Sequence, residues 1–311
     1  MDLWALCDLC TPWCLHTVAT LRIAEHIAAG VEKIEDLAAA ARCDSTVLHS
    51  VMGHLVSKGV FEEPEPGRFV LNEAARGLLD PGLHLGLDLE GIGGRMAHAW
   101  GTMLNYVRTG QPAYREVFGR PFWEDLNAHP DVAASFDALI GPQGHGTPDA
   151  DFPVAGGWEN VRTVVDVGGG TGAMLAEIVR VRSWIRGTLV DLPRTVARAV
   201  CKSESITTVG QSFFDPLTPG ADLYLLRGVL NDWPDREAVA ILKRCSEAAG
   251  LNGRVVILKG LREEGAPRGL HIEMILAGGK QRTLAEFTML AQEAALQVVA
   301  SGPSHIELRP L

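Results

Sequence analysis

From Trp158 onward, short apolar runs alternate with stretches whose apolar positions recur every three to four residues, which predicts strands interleaved with helices. The strands are expected at Thr163 to Val167, Thr188 to Val190, Thr207 to Val209, Leu223 to Leu226 and Arg254 to Leu258, then at Leu296 to Ala300 and His305 to Leu308. This alternation implies an α/β fold, a parallel sheet with helices on both faces. Residues 1–80 follow another pattern. Leu21, Ile23, Ala24, Ile27 and Ala28 form one apolar helical face, Ile34 to Ala41 a second helix, and Ser45 to Lys58 a third, closed by Gly59. Val60-Phe61, Pro64 to Gly67 and Phe69 to Leu71 then read as strand, turn and strand, which completes a winged-helix pattern.

Between these regions lies a helical section from about Gly91 to Ile140, with Phe118 to Glu124 as its loop and Asp131 to Ile140 as its last helix. Gly141, Pro142, Gly144, Gly146, Pro148, Pro153, Gly156 and Gly157 then cannot sustain a helix. This connector is expected to bend over a pocket. The expected domains are residues 1–95, a winged helix, and 96–311, comprising a helical lead-in (96–157) and a sheet domain (158–311).

At 311 residues and 47% hydrophobic content, the chain can build two ordinary globular cores. It has no apolar run of membrane-spanning length, and Met1 to Thr20 is broken by Asp2, Asp8 and Pro12, so a cytoplasmic protein is the expectation. Winged helices often bind DNA, which makes a cofactor-sensing regulator a rival reading. Residues 1–79 carry six Lys or Arg against eleven Asp or Glu, and the whole chain has a formal charge of −10, so nucleic acid and anionic membranes are poor partners. Leu3, Trp4, Leu6, Leu9, Trp13 and Leu15 instead suit a surface shared with a second copy, a homodimer. Of six cysteines, Cys7, Cys10 and Cys14 would line one helical face, but a fourth ligand is not evident and no metal is expected.

The chemistry centres on Asp166-Val167-Gly168-Gly169-Gly170-Thr171-Gly172, between a strand and the amphipathic stretch from Ala173 to Val179. Glycines there let the chain turn sharply, bring bare backbone against a ligand and aim the next helix's free N–H groups at it. Gly168, Gly170 and Ala173 also fit a dinucleotide pattern, so the glycines alone leave a nicotinamide enzyme and a methyl-donor enzyme both open. Asp191, closing the next strand before Leu192-Pro193, can accept ribose hydroxyls or cap a helix.

Val164 to Gly172, Gly187 to Pro193, Phe213 to Pro216, Ala221 to Asp235 and Gly278 to Phe287 together resemble the small-molecule O-methyltransferases of the plant caffeic-acid type and the bacterial polyketide-tailoring type. With Thr17 to Phe61 and Pro112 to Leu139, the resemblance spans nearly the whole chain and removes the nicotinamide reading. It implies a Rossmann-like methyltransferase sheet behind an N-terminal, mainly helical winged-helix dimerisation domain. The implied cofactor is S-adenosylmethionine or S-adenosylhomocysteine. Gly168, Gly170 and Gly172 match the family's turn under the methionine moiety, Asp191 its ribose carboxylate, Leu192 and Phe213 its adenine-flanking residues, and Arg227 its basic residue beneath the cofactor. Ser212 stands where the family usually has an aspartate facing the adenine amino group.

The catalytic positions depart further. The family's histidine before Asp-Trp, here Asp232-Trp233, is Asn231, and its two orienting glutamates fall on Lys259 and Gln281. An amide is no general base. Lys259 can act as a base if its pKa is lowered, can stabilise an anion as ammonium, or can reach into solvent. His271, in the segment with Glu273 that lines the family's pocket, is either a relocated base or a helix-end histidine. By the same resemblance Phe136, Ile140, Gln143, Asp232 and Trp233 face the acceptor; Gln143 and His145 fall on the glycine-rich connector, which departs from the family's usual helix. Two functions follow. One is O-methylation of a small aromatic or polyketide-like substrate by proximity; the alternative is a non-methylating cyclase, isomerase or decarboxylase that uses Lys259.

Overall fold

The structure, a computed structural model, describes residues 3–140, 147–200, 203–267 and 269–311. It divides into two compact units, one of Met1–Gly101 with Leu126–Leu139 and the other of Thr102–Asp125 with Ile140–Leu311.

In the first unit, helices Thr11–Thr20, Ile23–Ala28, Ile34–Ala41 and Ser45–Ser57 precede a two-stranded wing, β1 (Glu62–Glu65) and β2 (Arg68–Val70). Asp44 starts the third predicted helix by accepting the Val47 N–H, and Lys58 and Gly59 end it as expected. Val18, Ile23, Leu37, Met52, Leu55, Phe61 and Phe69 form its core. Two expectations change. Leu21 falls in the break between the first two helices, where Arg22 adopts a left-handed φ of 56°. The wing starts later than predicted, because Phe61 turns into the core, and the turn shrinks to Pro66-Gly67 between the paired Glu65 and Arg68. Pro64 is tolerated in β1 because that strand has one neighbour and needs only one edge of hydrogen bonds.

The second unit is built on a seven-stranded sheet of order β5-β4-β3-β6-β7-β9-β8. Its strands are β3 (Thr163–Val167), β4 (Arg186–Asp191), β5 (Ile206–Gly210), β6 (Leu223–Arg227), β7 (Arg254–Leu258), β8 (Leu296–Ser301) and β9 (His305–Pro310). Strands β3 to β7 are parallel, but β9 pairs antiparallel with both β7 and β8, correcting the all-parallel expectation. The short link from Ser301 to His305 has no room for a crossover helix, so the chain can only fold back. Alternate residues feed two cores. Val165, Tyr224, Leu226 and Ile257 pack on one face with helices Asp235–Ala249 and Leu284–Glu293, while Val164, Leu225 and Val256 pack on the other with helix Ala173–Val181.

The strand order reverses between β3 and β6, the point where α/β sheets open a crevice at their carboxyl ends. The described part of the connector, from residue 147 on, runs elsewhere. Its described residues Phe152 and Val154 are buried in the sheet's core, and Ala155 is held by Glu307 and by Arg254, the first residue of β7. Residues 141–146, with Gln143 and His145, lie outside the described residues. The predicted loop from Phe118 to Glu124 is also shorter, since helices Tyr114–Phe118 and Phe122–Ala128 flank it. Among the described residues no helix is long and apolar enough to cross a membrane.

Candidate active site

Strand β3 delivers the chain to the carboxyl edge, where Gly168, Gly170 and Gly172 adopt φ of 68°, 61° and 82°. Left-handed backbone costs other L-residues about 1–2 kcal/mol, so glycine is required on conformational grounds alone. The glycines differ in their surroundings. A Cβ on Gly168 would lie 2.9 Å from Val229 Cγ2 and 3.3 Å from the Phe213 ring, whereas one on Gly170 would meet nothing within 4 Å. The Gly170 N–H donates to Asp191 Oδ2 at 2.8 Å, and the Leu192 N–H donates to Asp191 Oδ1 at 2.7 Å. Leu192, not Asp191, caps the helix Pro193–Val196, so Asp191 braces the glycine turn. Burial raises the Asp191 pKa and these amide bonds oppose the rise.

Below the turn, Asp166 is fully buried and neither carboxylate oxygen has a partner. Burial pushes its pKa up to about 7, with the Arg227 charge pulling it down and Asp191 adding to the rise. Open space over Gly170, a braced carboxylate at Asp191 and an unpartnered carboxylate at Asp166 together fit a nucleoside that carries a cationic, hydrogen-bonding tail. Arg194, beside Asp191, adds two buried guanidinium nitrogens without partners.

Strand β6 ends at Arg227, and the segment after it borders both halves of the site. Val229 packs against the glycine turn, while Gly228 and Asn231 line a cavity of about 170 Å³ together with Lys259, His271, Glu273 and Gln281. The three substituted catalytic positions therefore converge, and His271 joins them. Asn231 Nδ2 donates to Asp232 Oδ1 at 2.8 Å, which leaves Asn231 Oδ1 buried and without a partner. Burial and then Glu273 push the Asp232 pKa to about 8. Lys259 sits just past β7 at φ 70° with an exposed side chain, and burial and the Arg227 charge lower its pKa.

Other expected residues fall elsewhere. The Ser212 hydroxyl accepts the Phe214 N–H at 3.2 Å, closing its own turn. The Trp233 ring stacks on Trp123 and meets Phe213 and Phe214 edge-on, so it shapes an aromatic wall. Phe136 belongs to the first unit, and the Ile140 side chain and Gln143 lie outside what is described.

One residue that sequence reasoning missed welds the cavity together. The fully buried Arg282 donates to Leu230 O at 2.6 Å, Trp233 O at 2.7 Å and Asp235 Oδ1 at 2.9 Å. Its own N–H donates to Gly260 O at 2.9 Å, so one arginine fixes the Asn231 loop to the segments carrying Lys259 and Gln281. Gly279 completes the joint, since a Cβ there would stand 2.2 Å from Asn231 O.

The O-methyltransferase domain profile matches residues 100–297, and the O-methyltransferase dimerisation domain profile matches residues 4–81. A 2,7-dihydroxy-5-methyl-1-naphthoate 7-O-methyltransferase of Streptomyces carzinostaticus is 38% identical over 97% of this chain and 94% of its own length. The aclacinomycin 10-hydroxylase of Streptomyces purpurascens is 36% identical over 96% of this chain and 84% of its own. The crystal structure of an O-methyltransferase from neocarzinostatin biosynthesis, in complex with S-adenosylmethionine and 2-hydroxy-5-methyl naphthoic acid, matches with a TM-score of 0.89. It is 36% identical, and the match covers 100% of this chain and 99% of that one.

Proposed function

Because the chain belongs to the O-methyltransferase family, we propose that it methylates a phenolic hydroxyl of a small polycyclic aromatic acid, with proximity in place of the usual histidine base. S-adenosylmethionine, when bound, supplies a methyl group on a sulfonium, open to attack by an oxygen nucleophile. Gly168, Gly170 and Gly172 give it a bare-backbone cradle, Asp191 accepts its ribose hydroxyls, Leu192 and Phe213 flank its adenine, and Asp166 with Arg227 sets the charge beneath it. Ser212 offers the adenine a neutral hydroxyl.

The observation that carries this reading is the Asn231 amide oxygen, buried without a partner in the wall of the cavity. It can accept the acceptor's hydroxyl hydrogen and aim that oxygen, although it cannot remove the proton. Ionising a phenol of pKa near 10 at pH 7 costs about 4 kcal/mol. Holding the reactants together supplies about 7–11 kcal/mol. Lys259, as ammonium, stabilises the phenolate, and Gln281 completes the polar wall.

The relatives favour transfer over a non-methylating cyclase, isomerase or decarboxylase, although one of them is named a hydroxylase. Incubation with a hydroxynaphthoate and methyl-labelled donor tests this directly. Label in the product is expected; turnover supported equally well by S-adenosylhomocysteine would overturn it.

A second reading, His271 as base, draws on its place in the same cavity. His271→Ala separates the two: a loss under about tenfold supports proximity, and one of about 10²–10⁴-fold supports the base.

The enzyme works as a cytoplasmic homodimer without nucleic acid. Leu3, Leu6, Leu9 and Trp13 are exposed on the dimerisation segment. The described cysteines are all free, as a reducing cytoplasm would leave them. Helix Ser45–Ser57 carries no Lys or Arg, and the neighbouring Lys58 is paired with Asp8 at 2.8 Å.

A further inference from the structure

Outside the active site, one cluster of metal-ligating side chains stands out among the described residues: Cys10, Cys14 and His54 in the first unit, with ligand atoms all within 4.8 Å of one another. Cys10 precedes helix Thr11–Thr20 and Cys14 lies one turn on, the Cys14 N–H donating to Cys10 O at 3.0 Å, so both thiols leave the same face. His54 comes from helix Ser45–Ser57, which packs on that face. Sequence spacing alone grouped Cys7 with the other two cysteines, but Cys7 lies outside the helix and the third ligand is a histidine 40 residues beyond Cys14.

The two sulfurs stand 3.7 Å apart. Sulfurs about 2.3 Å from a tetrahedral zinc ion are about 3.8 Å from each other, whereas a disulfide needs about 2.05 Å. The thiols share a hydrogen bond at this spacing, and the same spacing suits two ligands sharing one metal. The histidine is held in place: Thr11 Oγ1 donates to Asp8 Oδ2 at 2.6 Å and meets His54 Nε2 at 2.7 Å. Asp8 is anchored in turn by the Cys10 N–H at 2.9 Å and by Lys58. Such an outer ring is what orients the ligands of a metal site.

We propose that Cys10, Cys14 and His54 form a binding site for a thiophilic divalent cation of the zinc class, with water as the fourth ligand. Binding releases two thiol protons, so the doubly charged ion and two thiolates sum to zero charge, which a site with one buried and one exposed cysteine can accommodate. The metal would clamp the start of the dimerisation segment to helix Ser45–Ser57. It takes no part in methyl transfer, so the inference stands apart from the active-site reading.

The test is titration of the full-length, chelator-treated, reduced protein with Co²⁺, read by the thiolate-to-cobalt charge-transfer band and by visible bands of tetrahedral intensity, followed by displacement with Zn²⁺. One Co²⁺ per chain is expected. The charge-transfer band should vanish in Cys10→Ser, an exposed position whose change leaves the core intact, and in Cys14→Ser. His54→Ala should weaken binding by more than about tenfold, since even the loss of an outer-ring partner costs 10- to 100-fold. Cys7→Ser and Cys245→Ser should bind as the parent does. A parent protein without the band at stoichiometric Co²⁺, a band that survives in Cys10→Ser, or a band lost in Cys7→Ser would each overturn the assignment.

Discussion

Gly170→Ala separates backbone conformation from ligand space. The residue sits at φ 61°, and the position of its absent Cβ meets no atom within 4 Å, so the only cost to the ligand-free protein is left-handed backbone. That cost is about 1–2 kcal/mol. For a chain of this size it corresponds to a fall in Tm of roughly 2–8 °C. If the open space is where the cofactor lies, the methyl group is an overpacking defect of about 1–3 kcal/mol in the complex, or roughly 5- to 150-fold in Kd. Calorimetric titration with S-adenosylhomocysteine, beside thermal melts, reads both quantities. Gly168→Ala is the contrast. Its Cβ would press on Val229 and Phe213, so it should damage stability more than Gly170→Ala does. A Gly170→Ala protein with the expected loss in Tm but a Kd within twofold of the parent would refute the placement of the cofactor. A far larger loss in Tm would refute the claim that the space is open.

Asn231→Leu should lower kcat by roughly 5- to 150-fold, the worth of about 1–3 kcal/mol for one orienting hydrogen bond, with the Kd for cofactor unchanged; an unaltered kcat in single-turnover assays would remove Asn231 from the mechanism. Arg282→Met strands the carbonyls of Leu230 and Trp233 and should cost at least about 3 kcal/mol, or roughly 6–12 °C in Tm, so a fall below about 2 °C would contradict its role as the weld. Asp166 has a folded pKa of about 7 against an ordinary value of 3.8, so the protonated form is favoured in the folded chain and stability is lost as pH rises through about 7. Asp166→Asn removes that window, worth at most about 4 kcal/mol, and its Tm advantage over the parent should grow between pH 5 and pH 8.5 in ligand-free melts; a constant difference would show that burial does not perturb this carboxylate.

The parts of the site that sequence reveals directly are those made by neighbours in the chain. Strand, glycines and helix follow one another from Val161 to Val181, so the cradle is a local motif, and Asp191 is readable because it ends the next strand. Asn231, Lys259 and Gln281 are different. No local pattern brings them together, and only the family resemblance grouped them before the structure did. Arg282 was illegible for the same reason. Its partners are main-chain carbonyls 49 and 52 residues away, and an arginine after Gln281 looks like any surface cation until the fold buries it. The wing was misplaced because Val60-Phe61 has the composition of a strand while Phe61 is needed by the core. Antiparallel β9 escaped because strand patterns carry no direction; the length of the connection does.

The substitutions around Asn231 also change the charge of the cavity as a group. A histidine base with two glutamates would make an acidic pocket able to hold a proton. Here one glutamate position is a cation, the other is neutral, and the base is an amide. The acid in the cavity wall is Glu273, while Asp232, hydrogen-bonded to Asn231, is kept protonated until about pH 8 by burial and by Glu273, so near neutrality it adds little negative charge. Lys259 feels the Arg227 charge, which lowers its pKa, and a cation in that position favours an anion beside it. On the proposed function, such a cavity would lower the cost of ionising a phenol instead of supplying a group to take its proton, and it would attract an acceptor that already carries a carboxylate. On that proposal the loss of the histidine and the gain of the lysine are two parts of one solution: with the phenolate stabilised directly, the proton would leave to water, and the chain would need only to hold the oxygen in line.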